Sequence, residues 1–274
     1  MLAETLAELR HQTRAPDRVV VCGGGDADLS GLEAADAELM TAPLGTSLQR
    51  NAVLHALADC DLVAFLDDDF LPAPGFLAAM EAGFMADTAL VAATGHVIAD
   101  GIKGPGLSVA EGRALLRADP GAAPGAQAVP AYNAYGCNMV LRLAPIRAHE
   151  LEFDPDLPLY GWYEDIDLCR RLAPHGRILT LPGARGVHLG VKSGRTSGLR
   201  LGYSQIANPV YLARKGSYEW RRALWSMARH LAINAVRSLH AEPWVDRRGR
   251  LRGNLLALSD LARGRCDPRR ILAL

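Results

Sequence analysis

Leu62-Val63-Ala64-Phe65-Leu66-Asp67-Asp68-Asp69 decides how the rest of this chain is read. Five consecutive apolar residues fit a strand buried on both faces, and three carboxylates then follow at once. Upstream, Leu2, Leu6 and Leu9 share one face of an amphipathic helix. Arg18-Val19-Val20-Val21-Cys22 reads as a strand stopped by Gly23-Gly24-Gly25, and a second helix is expected from Ser47 to Ala58. Strands alternating with helices predict an α/β fold with a mostly parallel sheet, and such sheets gather their ligands at the carboxyl ends of the strands. The three aspartates sit at such an end.

Downstream, helix is expected over 72–87 and strand over 90–97. Residues 101–130, rich in Gly, Pro and Ala, read as a mobile connection. A strand follows at 135–143, a helix at 164–172, and a short strand over 177–181 leads through a turn to His188. Beyond residue 191 the character changes. Residues 1–191 hold 13 basic against 25 acidic side chains, a net −12, whereas residues 192–274 hold 17 against 5, a net +12. We therefore expect a catalytic domain over 1–191 and a basic helical extension over 192–274. The extension requires an anionic counterpart, either the acidic body or an external phosphate or membrane surface. On its segment 219–239, helical spacing gathers Leu224, Met227, Ala228, Leu231 and Ala235 on one side, with Arg221, Arg222, Arg229, Arg237 and His230 opposite.

No stretch of about 18 apolar residues is present, which excludes a spanning helix, and the start lacks the apolar core of a signal peptide. The five cysteines, Cys22, Cys60, Cys137, Cys169 and Cys266, have no metal-ligand spacing and suit a reducing cytoplasm.

Three acidic Asp residues in a row repel one another, a cost that a bound cation offsets, although a plain acidic turn also accounts for them. Glu164, Asp165 and Asp167 follow Tyr160-Gly161-Trp162-Tyr163. Asp165 opens a helix, whose dipole favours an ionised carboxylate, and acidic first turns are also common for stability alone. His188 stands in Gly186-Val187-His188-Leu189-Gly190, where a metal ligand and a structural histidine are both consistent readings.

The order Gln49-Arg50-Asn51, Phe65-Leu66-Asp67-Asp68-Asp69-Phe70-Leu71-Pro72, Gly136-Cys137-Asn138-Met139, Trp162-Tyr163-Glu164-Asp165-Ile166-Asp167-Leu168-Cys169-Arg170-Arg171 and Val187-His188 resembles the family 2 glycosyltransferases of GT-A fold. The resemblance covers residues 1–190. It implies an inverting transferase that moves a hexosyl or deoxyhexosyl group from a nucleotide-diphosphate sugar to a saccharide or lipid-linked acceptor. Such an enzyme would serve cell-envelope polysaccharide synthesis in the bacterial cytoplasm, at the inner face of the membrane, with no nucleic acid involved. It implies a D-x-D motif in which Asp67 holds the ribose and Asp69 holds Mn²⁺ or Mg²⁺, joined by His188 as the second metal ligand. Asp68, Arg50, Asn51, Gly136 and Asn138 fall in the donor-binding segments. Asp165 matches the catalytic base, with Glu164 beside it contacting acceptor or orienting the base.

Family members open with a strand of the type apolar-apolar-Val-Ile-Pro-Thr-Tyr-Asn. This chain starts within the following helix, so that central strand is expected to be missing. At Cys22-Gly23-Gly24-Gly25 relatives carry an Asp that contacts the nucleoside base, a role open here to Asp26 or Asp28. Two other classes predict different behaviour: a metal-dependent phosphoesterase releases phosphate without an acceptor, and a non-catalytic homologue binds no nucleotide.

Overall fold

The computed structural model describes residues 1–32, 37–57, 59–191, 197–240 and 242–274. In chain order the elements are α1 (Leu2–Arg10), β1 (Val20–Gly23), β2 (Glu38–Thr41), α2 (Thr46–Ala56), β3 (Leu62–Leu66), β4 (Phe70–Pro72), α3 (Phe76–Ala86), β5 (Leu90–Asp100), α4 (Val109–Ala118), β6 (Val129–Pro130), β7 (Asn138–Arg142), α5 (Leu143–Ala148), α6 (Glu164–Leu172), β8 (Arg177–His188), α7 (Gly198–Lys215), α8 (Trp220–Arg237) and α9 (Arg247–Ala262). They divide into two compact units. One comprises Met1–Pro43, Gln49–Glu152 and Cys169–Lys192; the other comprises Leu44–Leu48, Phe153–Leu168 and Ser193–Leu274. Ala58, where the sequence pattern ends the second helix, and the junction expected after residue 191 both touch positions outside the described residues.

In the first unit, six strands form a sheet of order β3-β7-β5-β8-β4, with β6 added on β8. The sheet is mixed. β5 and β8 pair in parallel, and β7 runs antiparallel to both β3 and β5, so β3, β5 and β8 all point the same way. β4 and β6 run against β8. The three strands that matter to the site thus share one direction, while β7 enters in the opposite sense even though α4 lies between it and β5 in the chain. β1 and β2 form a separate parallel pair, and neither hydrogen-bonds to β3. Val20, Val21 and Cys22 of β1 are half-buried and only Gly23 is buried, while Glu38, Leu39 and Thr41 of β2 are exposed. The core lies between β5, β7, β8 and α3, around Phe70, Phe76, Met80, Phe84 and Leu90.

Two expectations need correction. Residues 101–130 are not a structureless connection: a short 3₁₀ turn spans Gly101–Lys103, and α4 is started by a full capping box between Ser108 and Glu111. Gly112 interrupts the helical pattern in the sequence, yet it is where α4 lies closest to Leu189 and Leu71. The helix packs Leu115 and Leu116 onto Leu71, Val187 and Leu189. Likewise the strand at 177–181 does not end at Leu181. Pro182, which has no N–H to donate, and Gly183 bulge out of the ladder, pairing resumes at Arg185, and β8 continues to His188.

The second unit is helical around a core of Tyr203, Ile206, Ala207, Val210, Met227 and Ala257. α7 and α9 approach closely at Gly202 and Gly253. A Cβ on Gly253 would lie 2.1 Å from the Leu199 carbonyl, and one on Gly202 would lie 2.1 Å from that of Arg250. Polar side chains complete the interior: Asn234 donates to Gln205 and Asn254, and Asn254 donates to the Gly202 carbonyl. That packing rotates α8 from its expected orientation. Ala223, Ser226, Met227 and Asn234 are buried, whereas Leu224, Ala228 and Ala235 face outward. Small and amide side chains, satisfied by hydrogen bonds, occupy the inner seam that a hydrophobic pattern assigns to leucines.

Candidate functional site

Because β3, β5 and β8 run the same way, their carboxyl ends share one edge of the sheet. β3 leads into Asp67-Asp68-Asp69, β5 ends on Asp100 and β8 ends on His188, which lies directly across from Asp100 in the ladder. Gly101 permits the close passage that follows, since a Cβ there would sit 1.9 Å from the Leu189 carbonyl. On the other side, β4 pairs Phe70 with His188, and the Leu189 N–H donates to the Asp69 carbonyl at 2.9 Å. The aspartate turn is pinned from below by the buried Thr5 of α1, whose hydroxyl donates to the carbonyls of Asp68 (2.9 Å) and Phe70 (3.0 Å).

Residues more than 120 positions apart therefore converge. Asp67, Asp69 and His188 each offer a ligand atom, all within 4.8 Å of one another. Asp69 and His188 are buried, with His188 Nε2 3.3 Å from Asp69 Oδ1. His188 Nδ1 meets Asp100 Oδ1 at 2.9 Å, which fixes the ring so that Nε2 faces the aspartates. Asp100 is held in turn by the Ile102 N–H (3.2 Å) and the Tyr135 hydroxyl (3.4 Å), and the Tyr135 ring stands edge-on to the imidazole with centroids 5.9 Å apart. Burial opposes charge on His188, but the carboxylates of Asp100 and Asp69 outweigh it and push its pKa up to about 9. Asp67 is raised above the usual carboxylate range by burial, with Asp69 adding to the shift and Arg50 and His188 opposing it.

Two carboxylates and an imidazole are the donor set of a first-row divalent cation, and a carboxylate behind the histidine is the usual partner of such a ligand. The residues present fit a divalent ion. Asp68, between the two, points outward and is exposed.

The donor-segment residues separate into several environments. Arg50 is buried and donates to Asp67 Oδ1 (3.3 Å) and to the Gly136 carbonyl (2.9 Å), tying α2 to the aspartate turn. Asn51 is buried beside it in the same helix. Asn138 is fully buried and its amide is engaged within the sheet, by the Thr94 hydroxyl and toward the Gly95 carbonyl. At the carboxyl ends of β1 and β2, Gly24, Gly25, Asp26, Thr41, Ala42 and Pro43 line an open depression. Asp28 braces that loop by accepting from the Gly24 N–H at 2.9 Å, whereas Asp26 is exposed at the lining.

In the second unit, Leu159, Gly161 and Tyr163 all take positive φ on the approach to α6 (58°, 61° and 75°), so the chain turns sharply before the acidic helix start. Glu164 is buried and Asp165 half-buried, its Oδ1 capping the N–H of Ile166 at 2.8 Å. Asp167 has a different duty. It is fully buried and accepts from Lys215 Nζ (2.9 Å) and the Ser217 hydroxyl, while Lys215 also grips Asp154. Tyr160, Trp162 and Tyr163 stack in sequence beside the acidic pair, with centroids 6.1 and 5.1 Å apart.

Sequence reasoning missed Asp100, Tyr135 and Thr5. The signal for Asp100 was present: it is the first charged residue after the apolar-rich run from Leu90, and ending that strand at Val97 hid it.

No protein-family model matches this sequence, and no curated protein does. Solved structures do match. GalNAc-T7, solved with UDP, GalNAc and Mn²⁺, aligns with 99% of this chain at a TM-score of 0.55 and 14% identity; the chain spans 54% of that structure. The mannosyltransferase PcManGT from Pyrobaculum calidifontis, solved with GDP-Man and Mn²⁺, aligns with 99% of this chain and 74% of its own at 0.52 and 17% identity. This chain has the GT-A glycosyltransferase fold. TarS of S. aureus (residues 1–349) aligns with 96% of this chain and 88% of its own at 0.49 and 15% identity. No helix among the described residues is long and apolar enough to cross a membrane.

Proposed function

We propose that this protein is an inverting, divalent-cation-dependent glycosyltransferase that moves a sugar from a nucleoside diphosphate to a hydroxyl of a saccharide or lipid-linked acceptor. The observation that carries the reading is the convergence of Asp67, Asp69 and His188 at the carboxyl edge of a GT-A sheet. Asp69 and His188 would hold Mn²⁺ or Mg²⁺, and Asp67 would face the nucleotide ribose with its carboxylate steadied by Arg50. Bound there, a cation offsets the negative charge that grows on the diphosphate as the glycosidic C–O bond breaks. Asp26, exposed at the ends of β1 and β2, is the better candidate for the nucleoside base, because Asp28 is already engaged by the loop.

Asp165 acts as general base. As the acceptor oxygen forms its bond to the anomeric carbon on the face opposite the leaving diphosphate, the hydroxyl proton passes to the Asp165 carboxylate. The configuration inverts and no covalent intermediate forms. Glu164 positions acceptor or base, and the stacked Tyr160 and Trp162 offer apolar ring faces for a sugar. Asp167 stays outside the chemistry, since its oxygens are held by Lys215 and Ser217.

A panel of nucleotide sugars with Mn²⁺ and simple saccharide acceptors tests this. Asp165→Asn should cut kcat by about 10²- to 10⁴-fold while leaving donor affinity within twofold. Full activity in that variant removes the base assignment, and phosphate release from simple esters without any acceptor replaces the reading with hydrolysis.

A further inference from the structure

α8 contains no acidic residue in its 18 positions. Its inner face is settled by Ala223, Ser226, Met227 and Asn234, all buried. Its outer face combines exposed apolar side chains with exposed arginines. Trp225, Ala228, Ala232 and Val236 recur at spacings of three and four, so they share one side at about 100° per residue, and all are exposed, as is Leu239 two residues beyond the helix end at Arg237. Trp225 is 71%, Val236 65% and Leu239 77% exposed, and Leu224 at 57% widens the strip. Arg221 and Arg229, one turn before and after Trp225, lie on the same side and are exposed; Arg221 has Glu219 at 4.0 Å, and Arg248 donates to the Ser238 carbonyl beyond the helix end.

From this arrangement we infer that α8 is a docking face for an anionic lipid surface, on which the helix lies flat with Trp225 at the level of the headgroups. A helix that presents indole, aliphatic and arginine side chains on one exposed face is suited to that boundary. Apolar burial and attraction to lipid charge act together there. A second copy of the chain is a poorer occupant. A two-fold contact would set Arg221 and Arg229 of both copies against each other, and the N-cap carboxylate of Glu219 is already shared between Arg221 (4.0 Å) and Arg222 (3.4 Å). The inference concerns partner and location and stands apart from the transferase reading, because no residue of the face belongs to the proposed chemistry.

Flotation of the full chain with vesicles tests it, comparing equal parts phosphatidylglycerol and phosphatidylcholine with phosphatidylcholine alone. The chain should float with the anionic vesicles, at least tenfold less with the neutral ones, and its tryptophan emission should shift to shorter wavelength on binding. Trp225→Asp with Val236→Asp changes only exposed positions and should reduce partitioning at least tenfold. Arg221→Ser with Arg229→Ser should weaken binding and flatten its salt dependence without introducing charge into the apolar strip. Circular dichroism confirms that each variant is folded. Absence of binding to the anionic vesicles overturns the inference, as does binding unchanged in both variants. A soluble dimer that Val236→Asp splits would assign the face to a second copy instead.

Discussion

Asp100 shows what one unremarked side chain contributes. It neither belongs to a recognisable motif nor lies near Asp67 in sequence, yet it sets the direction of the His188 ring. Replacing it with Asn preserves shape and acceptor but removes the charge that supports a histidine ligand. Asp100→Asn should weaken Mn²⁺ binding about 10- to 100-fold, read by titration calorimetry on the free protein, with little change in melting temperature. Unchanged affinity would make Asp100 a strand-end brace only. His230 gives a second, independent residue-scale prediction. Burial first, then the charges of Arg229, Arg250 and Arg247, lower its pKa to about 4, while an unfolded histidine titrates near 6.5. The unfolded chain binds the extra proton between those values. Stability is therefore full above about pH 6.5 and is lost as the pH falls toward 4, by on the order of 2 kcal/mol once partial solvent screening is allowed for. Urea melts of the native protein and His230→Gln, compared from pH 7 to 4.5, should converge toward acid; parallel curves contradict the assignment.

At the scale of elements, the bounds of β3 and α6 were legible to the residue, because one is an unbroken apolar run ended by a charge step and the other follows an aromatic–glycine turn; β3 is not buried on both faces, since it sits at the end of the sheet order with Ala64 exposed. The pattern failed where tertiary packing replaced hydrophobicity. α4 has a glycine at its contact point, β8 crosses a proline bulge, and the inner seam of α8 is built from Ala, Ser and Asn. The same lesson explains α7 and α9, whose closest approach depends on having no side chain at Gly202 and Gly253. Gly253→Ala, despite the better helix propensity of alanine, should cost about 1–3 kcal/mol because the new methyl meets backbone rather than a movable side chain. Gly104→Ala, where nothing lies within 4 Å, should leave the thermal midpoint nearly unchanged. Equal midpoints for the two variants would show that the α7–α9 seam relaxes freely.

Across the whole molecule, the zero formal charge is the sum of two opposite halves. Much of the tail's positive charge is internal to its own unit: Arg265 and Arg270 hold the buried Asp260, Arg247 holds Glu242, and Lys215 holds Asp154 and Asp167. The arginines of α8 are answered in part by acids flanking the helix, Glu219 beside Arg221 and Arg222 and Glu242 beside Arg237, and all of them stay exposed. The strand pattern by itself stopped at Leu181, short of His188; Asp67, Asp69 and His188 were legible through the order of motifs that resembles the family 2 glycosyltransferases. The histidine's support from Asp100 and Tyr135 was not, because it depends on register across the sheet. The central claim is that Asp69 and His188 hold a cation beside Asp67, in one site serving a nucleoside diphosphate. Titration calorimetry of GDP and UDP into the protein, with and without Mn²⁺, addresses it directly, using the native chain and Asp69→Asn. The account predicts Mn²⁺-dependent binding of at least one nucleotide that Asp69→Asn weakens by at least tenfold; binding that ignores both the cation and the substitution would contradict it.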